Sequence, residues 1–449
     1  MRYHLIRSPF VFVMAAVACG LSITSASAQA GLFRNAAVGG VSIDANGVVK
    51  NPTQEEMQGL RAFVEGRLAA VPADMDTELG LRRISLRQLE AVLQEGGHQD
   101  LSTVPDEIKY LAGLQRIQYL LIYPEHQDIV LVGPGEGWRI NEQGHVVGKS
   151  TGRPVIQLED LLAAFRTVRQ GNGLIQCSID PTEDGIRTMR KFVKQQKRFS
   201  PQAIDGIANA LGPQQVTVSG VSESSHFARV LVAADYRMKR LAMQLDESPL
   251  PEMPSFLQML AKSRFRLTNM MPRWWLACEY EPMARSNDGL AWELRGPGVQ
   301  IKTEDDLVTD DGTVQNSGRQ NPIAAKWANN MTRNYDQLSV KEAVFAQLRN
   351  LMDLSVLAAL IEHEQLTDRA GLSLPILFGT QAEFAIPSWN PPKSVATECS
   401  FVKRGRDYLI TASGGVEIDP FRYASQSQVS PRTAEVRKQT AVPNKQWWW

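Results

Sequence analysis

Over residues 41–71 the spacing of hydrophobic residues changes from the two-residue period of strands to the longer period of helices. The segment VSIDANGVVK, residues 41–50, alternates around an Asn-Gly pair and predicts a short β-hairpin. Residues 51–71 then have helical spacing, and Thr53 and Glu56 stand three residues apart, as in a capping box. We therefore predict a hairpin followed by a capped helix.

Two more helices and a second hairpin are predicted further along. Helical spacing recurs around residues 84–94 and 104–114. The clearest hairpin is IQYLLIYPEHQDIVLVGPGEGW, in which two β-rich runs flank the polar turn at residues 124–128. Residues 31–170 are therefore predicted to form an N-terminal α/β part with hairpins.

Between residues 171 and 248 the pattern gives a strand, two helices, a strand and a long helix. The long helix, at about residues 225–245, has one apolar stripe, formed by Phe227, Val230, Leu231, Ala234, Met238, Leu241 and Leu245. This order predicts a small central βααβα module. The proline-rich sequence SPLPEMP, residues 248–254, is a candidate linker after it.

The part spanning residues 254–420 begins with tryptophan-rich sequence. Alternating patterns over residues 273–280 and 290–295 predict two strands. The acidic, Gly/Asn/Ser-rich segment at residues 303–322 predicts a mobile loop instead. A sheet interrupted by a long loop is therefore expected here.

Helices are predicted around residues 323–334 and 340–366, and the second is apolar on nearly all sides, which indicates burial. A final hairpin at residues 399–419 precedes a polar tail, residues 421–449, that ends in Trp447, Trp448 and Trp449. The predicted fold class is α+β and mixed: a hairpin-rich N-terminal part, a central α/β module, and a C-terminal sheet with buried helices.

The first thirty residues have the pattern of a secretory signal peptide. Arg2 and Arg7 precede a short apolar run, and the small-residue sequence SASAQA follows, so we expect cleavage near Ala28 or Ala30. A retained anchor and lipid attachment at Cys19 are the weaker alternatives. We expect an exported protein, periplasmic or extracellular, with no transmembrane segment in the mature chain.

Composition indicates a globular protein without a nucleic-acid partner. The chain has 449 residues, of which 43% are hydrophobic, with 48 basic and 48 acidic side chains. The leader holds two basic residues and no acidic one, so 46 basic and 48 acidic residues remain after cleavage. This near balance gives no global indication of a nucleic-acid partner.

Cysteine spacing and motif searches predict neither a metal nor a cofactor. Cys177, Cys278 and Cys399 remain in the mature chain, which allows one disulfide at most and leaves a spare thiol. No paired-cysteine motif, phosphate loop, dinucleotide turn or serine-nucleophile elbow has the required spacing. Ser225 and His226 are adjacent, and we interpret His226 as a capping or packing residue.

The predicted helix at residues 182–198 carries a basic stripe at helical spacing, formed by Arg187, Arg190, Lys191, Lys194, Lys197 and Arg198. Ile186, Met189 and Val193 are spaced to face the core. Such a stripe can bind phosphate, an acidic glycan or anionic head groups. It is more typical of the solvated face of a surface helix, where charge stripes are common.

The stretch MPRWWLACEYEPMARSNDGLAWELRGPG places aromatic residues beside acidic ones. The ligand-binding candidates are Trp274, Trp275 and Trp292, and the candidate acids are Glu279, Glu281, Asp288 and Glu293. Aromatic rings and carboxylates together suit a sugar, and glycosidases use two carboxyl groups about 5–10 Å apart. The aromatic side chains also fit a sheet core. Because neighbours on a strand point to opposite faces, we expect Trp274 and Trp275 to lie on different sides of their sheet.

Four segments resemble the characteristic sequences of a family of exported bacterial proteins classed as a domain of unknown function. They are SHFARVLVAADYRMKRLAMQL, MPRWWLACEYEP, DGLAWELRGPGV and CSFVKRGRDYLITASGGVEID. The resemblance covers most of the mature chain and implies export. It assigns no activity, ligand or catalytic residue to any position.

Two hypotheses follow. The first is a non-catalytic envelope or extracellular protein that binds an anionic polymer, a glycan or an envelope protein through the basic stripe and the exposed tryptophans. The alternative is a hydrolase of an extracellular polysaccharide or peptide, in which one of the four acids lies in an apolar pocket with a raised pKa.

Overall fold

The structure is a computed structural model. It describes residues 40–448 except 97–99, 172, 196–200, 264–271, 309–313, 317, 319, 405, 411 and 441–447. The predicted signal peptide and the tryptophans Trp447 and Trp449 therefore lie outside the described residues.

The strands in the described part of the chain are β1 Ser42–Ile43, β2 Val48–Lys50, β3 Leu79–Ser85, β4 Tyr119–Tyr123, β5 Asp128–Gly135, β6 Trp138–Ile140, β7 Val146–Gly148, β8 Ile175–Asp180, β9 Gln214–Ser219, β10 Pro272–Glu279, β11 Met283–Arg285, β12 Ala291–Glu293, β13 Gly298–Val308, β14 Val314–Asn316, β15 Ser394–Val395, β16 Ser400–Arg404, β17 Arg406–Ile410, β18 Ser413–Ile418 and β19 Ser427–Val429.

The α-helices in the same residues are α1 Gln54–Glu65, α2 Leu86–Glu95, α3 Asp106–Lys109, α4 Leu158–Gln170, α5 Glu183–Gln195, α6 Pro201–Leu211, α7 His226–Ala242, α8 Phe256–Lys262, α9 Pro322–Arg333, α10 Tyr335–Lys341, α11 Ala343–His363, α12 Leu366–Ala370, α13 Pro420–Ala424 and α14 Pro431–Gln439.

Two large sheets organise the chain. One has nine strands in the order β1-β2-β15-β9-β8-β18-β10-β13-β14, and the other has six in the order β19-β11-β12-β4-β5-β3. Both are mixed, since β10 runs parallel to β18 and β11 parallel to β19, whereas their other neighbours are antiparallel. Helices pack on these sheets, which confirms the predicted α+β class.

The nine-stranded sheet takes strands from all three predicted parts of the chain. Strands β1 and β2 come from the N-terminal part, β8 and β9 from the central module, and the others from the C-terminal part. The boundaries at residues 170, 248, 254 and 420 stay predictions. Strand pairing nevertheless crosses them, because backbone groups bond to whichever strand lies alongside.

One hydrophobic core lies behind the nine-stranded sheet. Helix α7 packs against β8, β18 and β10, and α11 packs against α4, α7 and β13. By length and composition α11 is apolar enough to cross a membrane, but its apolar window is wholly buried inside the protein. The predicted burial of this segment is confirmed, and α11 serves as a core helix.

Local patterns in the first part of the chain predicted the structure well. Strands β1 and β2 form the expected hairpin, and β4 and β5 form the second one. At α1 the Thr53 side chain accepts a hydrogen bond from the N–H of Glu56, and the Glu56 side chain accepts one from the N–H of Thr53. The capping box is therefore confirmed.

Two predictions were wrong. The expected helix at residues 104–114 is only the short α3 and a 3₁₀ turn, because Leu111 and Ala112 adopt positive φ angles of 44° and 50°. Part of the expected loop at residues 303–322 is strand: β13 continues to Val308 and pairs with β14. Antiparallel pairing satisfies backbone groups even where the side chains are polar, and a hydrophobic pattern does not report it.

Candidate functional site

The two neighbouring tryptophans of β10 lie on opposite faces of the nine-stranded sheet, as the strand period predicts. Trp274 is fully buried and meets Phe256 and Trp327 edge-on, with ring centroids 5.0 Å apart in each pair. Trp275 is only partly buried. The strand period thus gives one tryptophan to the core and leaves the other accessible.

Trp275 belongs to a row of residues that crosses five strands. Strand register aligns Trp275 with Lys302 on β13 and with Gly415 on β18. Gly415 aligns with Ser178 on β8, which aligns with Thr217 on β9. The core lies behind the sheet, so this row and its polar neighbours form a second face, which we call the Trp275 face.

The Trp275 face is polar around its single aromatic ring. Its other side chains on the same strands include Gln176, Ser219, Arg273, Gln300, Glu304 and Glu417. Hydroxyl, amide, carboxylate and cationic groups are all present. The face can therefore donate and accept hydrogen bonds along most of its length.

Two grooves meet at Trp275. One has a volume of about 300 Å³ and lies over β8, β18 and β10. The other has a volume of about 380 Å³ and lies between β13 and α9. Trp275 and Glu304 line both, and Gly415, which has no side chain, leaves space beside the indole ring in the first. Each groove has the size of a small-molecule site.

Contacts within the Trp275 face fix several of its groups. The hydroxyls of Ser178 and Thr217 are 2.7 Å apart, and Gln176 Nε2 donates to Glu417 at 3.4 Å. The guanidinium carbon of Arg273 lies 5.8 Å from the centre of the Trp275 ring. The ring is thus held beside a cation, and the neighbouring polar groups are partly ordered before any ligand binds.

The two acids that line the grooves, Glu304 and Glu417, are too far apart for two-carboxylate hydrolysis. Glu304 aligns with Arg273 and Glu417 with Ala277, four residues apart on β10 and on opposite sides of it. With strand spacings of about 4.8 Å and about 3.3 Å per residue, their backbones are about 16 Å apart. Glu304 also accepts from the N–H of Gly318 at 2.6 Å, whereas Glu417 accepts from Gln176 on β8.

The four acids of the hydrolase hypothesis are distributed over both sheets. Glu279 ends β10 in the nine-stranded sheet, and Glu293 lies on β12 in the six-stranded one, where it accepts from the Tyr119 hydroxyl at 3.1 Å. Glu281 is exposed near Arg295, at 3.9 Å. None of these, nor Asp288, lines either groove beside Trp275.

Asp288 is part of a turn. Partial burial raises the pKa of Asp288, but hydrogen bonds from the Ser286 hydroxyl and the Leu290 N–H outweigh it, so the pKa is lowered. A general acid needs the opposite shift. Asp288 therefore caps this turn as a carboxylate.

Trp292, the third predicted ligand residue, is in the core. Its ring is 1% exposed, and its Nε1 donates to the carbonyl of Gly289 at 3.0 Å. Neither Trp292 nor Trp274 can reach a ligand at the surface, so that expectation is corrected for both. Trp275 alone of the three is accessible.

Helix α5 carries the described part of the basic stripe. Arg187, Lys191 and Lys194 are exposed and Arg190 is half-exposed, while Lys197 and Arg198 lie outside the described residues. The opposite side of α5, with Ile186 and Met189, packs on Ile207 and Leu211 of α6. Arg187 pairs with Asp184 one turn earlier. Residues 187–194 thus present their cations to solvent.

His226 forms a buried ion pair that sequence reasoning missed. Its Nδ1 lies 2.9 Å from Asp160, and its Nε2 lies 3.3 Å from the side-chain amide of Gln157. Burial disfavours the imidazolium, but the Asp160 carboxylate outweighs burial and raises the pKa of His226 to about 9. Asp160 and His226 are 66 residues apart, so no local pattern joins them.

Ser225, His226 and Asp160 do not form a catalytic triad. The Ser225 hydroxyl donates to the carbonyl of Ser222 at 2.6 Å and accepts from the N–H of Ala228 at 3.0 Å. It is therefore the N-cap of α7. His226 Nε2 bonds to Gln157 rather than to a nucleophile, so the interpretation of His226 as a packing residue agrees with the structure.

Cys177, Cys278 and Cys399 are all free. Burial raises the pKa of each thiol, which disfavours a reactive thiolate. In the part of the chain that the structure describes, no group of three or more His, Cys, Asp or Glu side chains could hold a metal ion.

Residues 177–256 match the model of a family described as "Protein of unknown function (DUF1598)". The match runs from within β8 through α5, α6, β9 and α7 to the first residue of α8. No curated protein and no solved structure matches the chain. The resemblance to a family of unknown function is thus confirmed for a segment that supplies two strands of the Trp275 face.

Proposed function

We propose that this is an exported, non-catalytic glycan-binding protein whose ligand lies along the Trp275 face. The observation that carries the proposal is the accessible Trp275 ring between two grooves lined by hydroxyl, amide and charged groups. A sugar presents an apolar ring face to an aromatic side chain and hydroxyl groups to the surrounding polar side chains. Because the row crosses five strands, it can contact several sugar units of a glycan rather than a single unit.

Binding without cleavage is favoured by the separation of Glu304 and Glu417. Glycosidases of the two-carboxylate type need a separation of about 5–10 Å, and these two backbones are about 16 Å apart. The hydrolase hypothesis then depends on Glu279, Glu281, Asp288 and Glu293, which lie outside both grooves.

The test is calorimetric titration of the mature chain with a neutral N-acetylglucosamine hexamer and an anionic hexagalacturonate. We expect Trp275→Ala to weaken binding about tenfold or more, and Trp275→Phe to weaken it less, because a flat ring is retained. Trp389→Phe is the matched control, since Trp389 is partly buried outside both grooves.

Equal binding by the wild type and Trp275→Ala would refute the proposal. Reducing ends should be assayed in the same samples. If reducing ends are released, and Glu279→Gln or Glu293→Gln abolishes the release, the hydrolase hypothesis replaces the binding proposal.

We assign the basic stripe of α5 an accessory role with anionic glycans. Lys191 and Lys194 are exposed and lie about one helical turn apart. The double variant Lys191→Gln/Lys194→Gln should reduce the salt dependence of hexagalacturonate binding and leave binding of the neutral hexamer unchanged. Lys326→Gln, an exposed change on α9, is the control.

Export is the remaining element of the proposal. It rests on the charged, apolar and small-residue order of the first thirty residues. Expression of the full chain in a bacterium with an outer membrane should give a periplasmic or secreted product that begins near residue 29 or 31. Mass spectrometry of the purified product tests this, and an intact N-terminus in the cytosol would contradict it.

A further inference from the structure

A third cavity lies away from the Trp275 face, between α4 and the two connections that cross above it. Its volume is about 330 Å³. Helix α4 contributes Ala163, Arg166, Thr167 and Gln170, which lie on one side of the helix. Most of the opposite wall comes from residues 386–388 and from the segment that leads into α7, where the lining residues are Val221, Ser222, Ser224 and Ser225.

Among the described residues that line this cavity, Arg166 alone carries a charge. It is only 6% exposed. Its Nη2 donates to the carbonyls of Ile376 and Phe384 at 3.3 and 3.0 Å, and its Nη1 contacts the side-chain oxygen of Gln381 at 3.4 Å. Its Nε has no hydrogen-bond partner among the described residues.

None of these hydrogen-bond partners carries a negative charge. All three acceptors are neutral oxygens, and the Nη1 contact is longer than an ordinary hydrogen bond. Burial lowers the pKa of the guanidinium, and Glu383 opposes this only by Coulomb attraction. Arginine stays protonated in proteins, so a buried cation without a bonded carboxylate is costly and favours an anionic ligand.

The other lining residues indicate which anion would fit. Ala163, Val221, Ile386 and Pro387 give apolar walls, while Ser222, Ser224 and Ser388 add hydroxyls. One guanidinium balances one negative charge and matches the planar fork of a carboxylate. A phosphate ester, with up to two charges and no flat face, would leave part of its charge unpaired here.

We propose that this cavity binds the carboxylate of a small amphipathic organic acid, with the acid group on Arg166 and the hydrocarbon part against Ala163, Val221, Ile386 and Pro387. The carboxylate replaces Gln381 as the partner of Nη1. The volume is at the lower end of the range of about 300–1,000 Å³ for small-molecule sites, which limits the ligand to a short or medium chain.

The experiment is calorimetric titration of the mature chain with octanoate, with octylamine and inorganic phosphate as comparison ligands. We expect octanoate to bind and the other two to bind at least about tenfold more weakly, because octylamine reverses the charge and phosphate lacks the hydrocarbon. Equal binding of octylamine would mean a nonspecific apolar pocket and would overturn the proposal. Tighter binding of phosphate, or no binding of octanoate, would overturn it as well.

Three variants locate the site. Arg166→Gln should weaken octanoate binding about 10- to 100-fold, as expected for loss of a charged hydrogen bond. Because Arg166 also holds two backbone carbonyls, Ala163→Leu provides a second variant that fills the cavity and keeps those bonds. Arg169→Gln is the control on the same helix, since Arg169 is exposed and does not line the cavity.

The result is independent of the glycan proposal. Trp275→Ala should leave octanoate binding unchanged, because Trp275 does not line this cavity. Octanoate binding that survives in folded Ala163→Leu and Arg166→Gln proteins would place the ligand elsewhere and refute the assignment.

Discussion

At the scale of single residues, one step along β10 separates a core residue from a surface residue. Trp274 fills the space between Phe256 and Trp327, whereas Trp275 lies between two open grooves. Both carry the same side chain on the same strand. Their different roles follow only from the direction in which each points.

This difference predicts that the same substitution has a large effect on stability at Trp274 and a small one at Trp275. Trp274→Ala should lower the free energy of unfolding by about 3–5 kcal/mol, because it leaves a large cavity in the core. Trp275→Ala should lower it by less than about 1 kcal/mol while weakening glycan binding. Urea unfolding followed by circular dichroism measures both changes, and similar losses of stability would contradict the assignment of the two faces.

His226 predicts a dependence of stability on pH. Glu159 supports Asp160 in favouring the imidazolium and Arg229 opposes it, with the pKa of His226 raised to about 9. A folded-state pKa above the unfolded value of about 6.5 means that the stabilisation is complete below about pH 6.5 and is lost as the pH rises through about 9. The shift corresponds to about 3 kcal/mol.

The measurement is urea unfolding between pH 6 and 9.5. Across this range the wild-type protein should lose about 3 kcal/mol more stability than His226→Gln, which is less stable at pH 6 but less dependent on pH. His363→Gln should follow the wild type, because His363 is exposed at the end of α11. An unchanged slope in His226→Gln would show that another group titrates.

At the scale of elements, β18 is inserted between β8 and β10 with almost no clearance. A Cβ atom on Gly414 would lie 1.6 Å from the carbonyl oxygen of Trp274, and Gly414 has a φ of 126°. A Cβ atom on Gly415 would lie 1.7 Å from the carbonyl oxygen of Cys177. Both glycines are therefore needed for the strand that joins the two halves of the Trp275 face.

Gly414→Ala should destabilise the protein by more than about 3 kcal/mol or prevent soluble expression, because both the backbone angle and the close contact forbid a side chain. Gly80→Ala is the matched control in β3, where a Cβ atom meets nothing within 4 Å. Thermal unfolding of both variants checks this. A Gly414→Ala protein as stable as the control would mean that β18 is not packed as described.

The elements show where sequence patterns predict structure and where they do not. The Thr53–Glu56 capping box and the β4–β5 hairpin were predictable because the partners are neighbours in sequence. The helix expected at residues 104–114 does not form over its full length, because the chain turns at Leu111 and Ala112. The apolar residues of this segment are nevertheless buried in the core. An apolar run reports burial, but it does not fix the backbone angles that achieve it.

At the scale of the whole molecule, Asp353 of α11 connects the two sheets. It is fully buried, accepts from Arg116 Nε at 3.0 Å, and accepts from the Tyr280 hydroxyl at 2.6 Å. Arg116 leads into β4 of the six-stranded sheet, whereas Tyr280 follows β10 of the nine-stranded one. One carboxylate thus joins a helix to both sheets.

Removal of this carboxylate should cost much more than removal of a surface acid. Asp353→Ala leaves the Arg116 guanidinium without its buried partner, and we expect the free energy of unfolding to fall by about 3–5 kcal/mol. Asp368→Ala, at an exposed position on α12, should change it by less than about 0.5 kcal/mol. Guanidinium unfolding compares them, and equal effects would contradict a structural role for Asp353.

Parts of the candidate site were predictable from the sequence. The Trp274–Trp275 pair and the basic stripe are local patterns. Polar residues also recur at every second position, Gln176 and Ser178 on one strand and Thr217 and Ser219 on the next, which indicates one polar face on each strand. Lys302, Glu304 and Glu417 were missed because their strands join the face only through pairing. Arg166 was missed because it lies within an ordinary amphipathic helix.

The sequence alone determined what depends on neighbours in the chain: the α+β class, the caps, the hairpins, the buried apolar helix and the opposite directions of Trp274 and Trp275. Only the tertiary structure decided which strands lie side by side. Strand order in turn decided which polar side chains surround Trp275 and how far apart Glu304 and Glu417 lie. It also paired His226 with Asp160 and enclosed Arg166 in a cavity. The reason is physical, since helical and strand periods act over a few residues, whereas pairing and burial join residues hundreds of positions apart.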